Sequence, residues 1–199
     1  LILYAYMGKI VFTWQWPVGW VSSLILGFSI TGILSLLLIY PVKDAVENVW
    51  IRTVSKWYYV ILVPLVAMLL LAIWRRVSDY GITESRYVVV VLGLWLAGTT
   101  LYFIVSKTKN IKVIPSSLCL VAFLSTFGPW GAFGISEGSQ INRLEQLLTK
   151  NEILVNGKIT KSQREVPFED SKEISSIVGY LNEVHGTSGL QPWFDISLD

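Results

Sequence analysis

"WRRVSDYGITESRY", residues 74–87, is a short charged joint between two runs of almost purely apolar sequence. Upstream, residues 57–74 read "WYYVILVPLVAMLLLAIW", and downstream, residues 87–105 read "YVVVVLGLWLAGTTLYFIV"; neither run holds a charged side chain. A helix rises 1.5 Å per residue, so about 20 apolar residues cross the roughly 30 Å of a bilayer's hydrocarbon. Two further windows meet or approach that length: "VSSLILGFSITGILSLLLIY" at 21–40, and "VIPSSLCLVAFLSTFG" at 113–128, extended by Ile111. Four uncharged windows in series, each with cationic or aromatic flanks, predict an α-helical polytopic membrane bundle. Its spans are expected at about 21–40, 57–74, 87–105 and 111–128 of a bundle occupying residues 21–133.

Composition agrees. The chain has 199 residues, 53% hydrophobic and only 15% charged, against about 25% charged in soluble domains. Trp14, Trp16 and Trp20 precede the first span and Trp57, Tyr58 and Tyr59 open the second; amphipathic rings settle at the headgroup level. Residues 1–20 begin "LILYAYMGKIVF" and are read as the end of an upstream span or an interfacial segment, with Lys9 snorkelling. The chain is expected to be an internal piece of a longer protein. Residues 1–133 hold ten Lys/Arg and four Asp/Glu, whereas residues 134–199 hold six and ten. The cations therefore follow the apolar part, as bilayer anchors do, and no nucleic-acid partner is expected. The single cysteine, Cys119, excludes an intrachain disulfide or a CxxC metal site and reads as a packed, inert thiol.

Within the joint each charge has a structural use. Arg75 and Arg76 are expected in the last turn of the second span, where cations suit the helix dipole, with Asp79 within reach on the same face. Tyr80 precedes Gly81, which suits the left-handed residue beyond a helix end, and Ile82 can fold back as its apolar partner. Thr83 is the expected N-cap of the third span, with Glu84 in its first turn. Arg75, Arg76, Asp79, Tyr80, Gly81, Thr83, Glu84 and Arg86 are thus the candidate structural or functional joint. In a second reading Asp79, Glu84 and Arg86 face inward between spans, where ionisable groups mark ion or substrate paths.

Gly27 with Thr31, and Gly93 with Ala97, have the small-xxx-small spacing that lets helices approach. Pro64 predicts a bend in the second span. Lys43, Arg52, Lys56, Lys107, Lys109 and Lys112 fall on one side, against Lys9, Arg75, Arg76, Arg86 and Arg143 on the other. That bias places the lysine-bearing loops in the cytoplasm and the tail outside. After "FGPWGAFGISEGSQ" (127–140), whose Gly128, Pro129 and Gly131 end the fourth helix, residues 134–199 form a small α+β soluble tail, expected to be part of a larger module. Ile141, Leu144, Leu147 and Leu148 predict a helix, Asn156-Gly157 a hairpin and Asp170 to Glu173 a capping box. Ile174, Ile177, Val178, Leu181 and Val184 form a second stripe that stops at Gly186.

"IWRRVSDYGITESRY", "LWLAGTTLYFIVSK", "FGPWGAF", "YLNEVHG" and "LQPWF" together resemble a bacterial family of multi-pass membrane proteins known only as domain of unknown function 4153. The resemblance covers most of the chain and implies a membrane-embedded region followed by a soluble one. It implies no reaction, ligand or catalytic residue.

No catalytic, cofactor-binding or metal-binding set emerges from the residues. His185, the one histidine, sits beside Gly186 at a predicted helix end and reads as a surface or capping residue. A Ser188–His185–Asp195 arrangement lacks the nucleophile elbow of serine hydrolases, and "GKITKS" lacks the upstream glycine of a phosphate loop. "HGTSGLQPWF" (185–194) makes His185, Gly186, Trp193 and Phe194 a candidate recognition loop, with Trp193 and Phe194 preferred as anchors of the tail core. The sequence therefore points to a non-enzymatic protein of the bacterial cytoplasmic membrane: a sensor, scaffold or accessory subunit presenting its tail to an envelope or membrane protein. Two alternatives stay open. One is a transporter or channel component whose ionisable residues lie in upstream spans; the other is an interface enzyme using Asp79, Glu84 and Arg86 on envelope substrates.

Overall fold

The computed structural model describes Ala5, Gly8 and residues 20–42, 49–106, 110–161 and 165–198. The expected upstream stump, and the roles given to Lys9, Trp14, Trp16, Lys43, Lys107 and Lys109, lie outside the described residues. The chain is mostly helical: α1 Trp20–Ile39, α2 Val49–Tyr80, α3 Glu84–Val105, α4 Val113–Thr126, α5 Ala132–Lys150 and α6 Phe168–Val184. A two-stranded antiparallel hairpin joins α5 to α6, with β1 Leu154–Val155 and β2 Lys158–Ile159 in the register Leu154 to Ile159 and Val155 to Lys158. Among the described residues three helices are long and apolar enough to cross a membrane, and α4 is a shorter apolar helix. This is a membrane protein with a small α+β tail.

The chain divides into two compact units, Leu1–Asp79 with Val88–Leu124, and Tyr80–Tyr87 with Ser125–Asp199. In the first, Ile25, Ile33 and Leu36 of α1 pack with Leu62, Leu65 and Leu69 of α2, Leu96 and Phe103 of α3, and Ile114 of α4. Leu34, Leu71, Leu94, Leu101 and Leu120 stay exposed on the same helices, so these helices are apolar outside as well as inside, the pattern a lipid solvent requires. The close approach of α1 to α2 is made at Gly32, where an added Cβ would collide with the Tyr58 ring, and Tyr58 Oη donates to Ser29 O at 2.8 Å. The expected pair Gly27 and Thr31 is not the contact: Gly27 has open space around it and Thr31 is exposed. A rotation of about 100° per residue puts 25, 29, 32 and 36 on the packed face and turns 27 and 31 away. Gly93 does meet Leu69 and Leu70, as its spacing with Ala97 predicts. Cys119 is exposed and not packed, because Ile114 is the buried residue of α4 and Cys119 lies on another face.

Helix α2 runs 32 residues with Pro64 inside it, and its last turn carries no basic residue. Arg75 and Arg76 therefore sit one turn earlier than expected. Arg75 pairs with Asp79 at 3.6 Å, four residues on. The cation at the helix end is supplied by Arg86, whose Nη1 donates to Tyr80 O at 2.9 Å and Gly81 O at 2.8 Å. Helix α4 is 14 residues long, about 21 Å, and stops before Gly128, whose φ is +87°.

In the second unit, α5 presents Ser136, Gln140, Leu144 and Leu148 as one buried stripe at four-residue spacing. Leu144 and Leu148 enter a core with Leu154, Ile177, Leu181 and Leu190, against which Trp193 and Phe194 are half-buried. The hairpin turn has Asn156 at φ +52° and Gly157 at +76°, the double left-handed turn that Asn-Gly favours. Two tail expectations are corrected. Helix α6 starts at Phe168 after Pro167, so Asp170 and Glu173 are no capping box. Asp170 instead accepts from Lys150 Nζ at 2.7 Å and Asn151 Nδ2 at 2.9 Å, and Glu173 accepts from Arg143 Nε at 2.5 Å. Val178 and Val184 are exposed, leaving Ile174, Ile177 and Leu181 as the packed stripe.

Candidate functional site

The polar half of the α5 stripe has a purpose: in the second unit it receives the loop Tyr80–Tyr87. Gly81 takes φ +69°, where a side chain is strained, and an added Cβ would lie 2.9 Å from Gln140 Nε2. Gln140 Nε2 donates to Tyr80 O at 3.2 Å and Ile82 O at 2.9 Å, while Ile82 N donates to Ser139 Oγ at 2.9 Å. Together with Arg86, these bonds satisfy backbone groups that a helix end and a tight turn leave without internal partners.

The loop delivers Glu84 to a cluster of donors. Ser136 Oγ donates to Oε1 at 2.5 Å, Tyr180 Oη donates to Oε2, and His185 Nε2 lies 2.8 Å from Oε1. Ser136 is fully buried and the His185 side chain is 5% exposed. Phe133 packs edge-on to the imidazole at 5.9 Å between ring centroids, and Tyr180 does so from a second direction at 5.6 Å. Burial, and then the bond to Glu84, push the Tyr180 phenol up to about 12.

The result is an anion clamp. A serine–histidine–acid relay needs the hydroxyl on one imidazole nitrogen and the carboxylate on the other. Here both Ser136, at 3.5 Å, and Glu84 face Nε2, and the serine proton is committed to the carboxylate. Asp195, the acid of the alternative arrangement, pairs with Lys158 at 2.5 Å. Among the described residues no three His, Cys, Asp or Glu side chains converge as a metal would require.

The joint residues are dispersed among separate tasks. Arg75 and Asp79 pair with each other at exposed positions. Tyr80 lies under the Arg86 guanidinium, 5.6 Å from ring centroid to Cζ. Thr83 precedes the first residue of α3, its hydroxyl 3.4 Å from that of Ser85. Glu84 alone joins the clamp. From the tail loop, His185 does hold the cap position of α6, and Gly186 takes φ +78°, but the imidazole is buried and not on the surface. The reason is a partner far away in sequence. Trp193 and Phe194 stay with the tail core. Ser136, Ser139, Gln140 and Tyr180 escaped the sequence reading. The usable signals were the four-residue spacing that runs from Ser136 into Leu144 and Leu148, and the placement of Tyr180 and His185 in "YLNEVHG".

The profile of the family described as Domain of unknown function (DUF4153) matches residues 1–148. A protein of Pasteurella multocida (strain Pm70), named uncharacterized protein PM1469, is 26% identical over 193 residues, covering 90% of this chain and 32% of its own length. The chain thus spans about a third of that relative. No solved structure matches it.

Proposed function

The chain belongs to the DUF4153 family, and on that premise we propose that it is a non-enzymatic sensor or scaffold of the bacterial cytoplasmic membrane. Its tail holds the loop between two membrane-capable helices and transmits its own state to them. The observation that carries this reading is the membership of Tyr80–Tyr87 in the tail's compact unit, with Glu84 at the head of α3 held by three tail side chains. Whatever loads the tail, an envelope or membrane protein partner, acts on the ends of α2 and α3 through that loop. The cationic bias of the short loops orients the tail outside the cytoplasm, which a reporter fused after Lys150 tests.

The experiment uses the full-length gene. Glu84→Gln, Tyr180→Phe and His185→Ala, each still inserted in the membrane, are expected to reproduce the phenotype of deleting the gene, whereas Asp79→Asn is silent. Trypsin on membrane vesicles should cut after Arg86 in the clamp variants and spare that bond in the wild type. Silent Tyr180→Phe and His185→Ala together with damaging Glu84→Gln and Asp79→Asn would replace this proposal with the interface-enzyme reading.

A further inference from the structure

The segment after α4 is apolar where a tail surface should be polar. Phe127, Trp130 and Phe133 are 59%, 58% and 64% exposed. They recur every three residues through a backbone that is tightly built. Gly131 N donates to Gly128 O at 3.0 Å. A Cβ on Gly128 would press the Trp130 ring at 3.1 Å, and one on Gly134 would meet Pro129 O at 3.3 Å. Tyr87 Oη donates to Trp130 O at 2.7 Å, holding the carbonyl while the indole stays exposed. An order this specific, in a segment that leaves three large rings more than half exposed, marks a surface with a partner.

The partner follows from continuity. Phe127 comes directly after Thr126, the last residue of an apolar helix of 14 residues, about 9 Å short of a roughly 30 Å hydrocarbon core. A helix of this length that enters at the charged Lys112 ends at membrane depth. There the Trp130 indole, apolar with one N–H, suits the zone between acyl chains and headgroups, and the wholly apolar Phe127 and Phe133 rings suit its acyl side. We infer that Phe127, Trp130 and Phe133 form a lipid-docking edge that seats the tail unit in the interfacial layer of the bilayer. Phe133 also packs on His185, so the same edge touches the clamp, and the packing of the headgroup layer becomes an input the clamp senses. The inference rests on the membrane reading of the helices.

The test is spin-label depth on the full chain in vesicles of phosphatidylcholine and phosphatidylglycerol. Cys119→Ser removes the native thiol, and Phe127→Cys, Trp130→Cys and Phe133→Cys carry the label one at a time. Val155→Cys, on the hairpin, and Leu101→Cys, on α3, are the wet and deep references; both positions are exposed. The ratio of oxygen to nickel-chelate accessibility at 127, 130 and 133 is expected to shift from the value at 155 toward that at 101, consistent with a depth of about 5–10 Å. A water-like ratio at 130 with a lipid-like one at 101 overturns the docking edge and leaves the spans standing; water-like values at both overturn the spans as well. Shielding of 130 from both reagents means protein cover, by a second copy or a partner, and also overturns the inference. Trp130→Phe guards against a label that disturbs the turn. Removing that indole should lower the fraction of fluorescence quenched by interfacially brominated lipid, and an unchanged fraction counts against the proposal.

Discussion

Replacing Glu84 by alanine removes the acceptor shared by Ser136, Tyr180 and His185. The three donors lose unequally. Ser136 keeps Phe133 O as an acceptor at 3.0 Å, and the half-buried Tyr180 hydroxyl can turn to water. His185, with its side chain 5% exposed, is shut off from water, and its remaining neighbours Ser136 Oγ and Tyr180 Oη stand at 3.5 and 3.4 Å, long for a full bond. One charge-assisted hydrogen bond contributes about 1.5–3 kcal/mol and an orphaned buried donor costs about 1–3 kcal/mol. Allowing for overlap between the two, Glu84→Ala should destabilise the tail unit by roughly 2–4 kcal/mol. Hydrogen exchange of the full chain in lipid nanodiscs reads this directly. Amides of α5 and α6 that exchange through opening of the unit should speed up by roughly 30- to 700-fold, since about 1.4 kcal/mol is tenfold. Protection in the middle of α1 should not change. In a His185→Ala background the same substitution should cost about 1–2 kcal/mol less, because the orphan is already gone. An acceleration below about threefold, or full additivity of the two substitutions, would refute the clamp.

Four further outcomes follow from the same structure. Gly81→Val puts a β-branched residue at φ +69° against Gln140; the loss should be at least about 2 kcal/mol, seen as a reduced yield of folded, inserted protein. In α1, Gly32→Leu should loosen the contact with Tyr58 and lower the thermal midpoint in detergent, whereas Gly27→Ala, with open space around it, should be neutral or slightly stabilising. Bonds from Lys150 and Asn151 hold the Asp170 carboxyl below its ordinary range. The folded state therefore favours the carboxylate, and its contribution is present above the unfolded pKa of about 3.9 and lost as pH falls further; Asp170→Asn should flatten the acid limb of a stability-against-pH curve. Tyr180 behaves in the opposite sense: raised to about 12, it stabilises the fold below pH about 10 and loses that contribution as the pH climbs toward 12. Phenolate absorbance should show one late-titrating tyrosine of the tail, brought down part way by Glu84→Ala.

The membrane helices were legible because a window without charge is a local property that no distant partner has to complete. The same is true of Gly81 and of Asn156-Gly157, where a positive φ is demanded by the turn itself. The Asp170 to Glu173 expectation failed locally too, since Pro167 starts the helix earlier than the capping pattern implies. The clamp was hidden for another reason. Glu84 and Tyr180 are 96 residues apart, and each has an adequate local use, as a first-turn anion and as part of a helix flank. Ser136 and Gln140 precede the apolar run that predicts the helix; only the loop they receive turns them into buried members of an otherwise apolar stripe. His185 illustrates the limit most plainly. Its position at the helix end was readable, but the burial of its ring depends on where α3 begins.

The loop between α2 and α3 is a structural part of the tail, and the coupling depends on it. A photoreactive benzoylphenylalanine in place of Ile82, activated in native membranes, tests it with the protein otherwise unchanged. Ile82 binds Ser139 and Gln140 through its backbone, so the expected product is a link within one chain to the tryptic peptide ending at Arg143. Capture of lipid, of another protein, or of nothing would mean that the tail folds without the loop, and the coupling built on it would be lost.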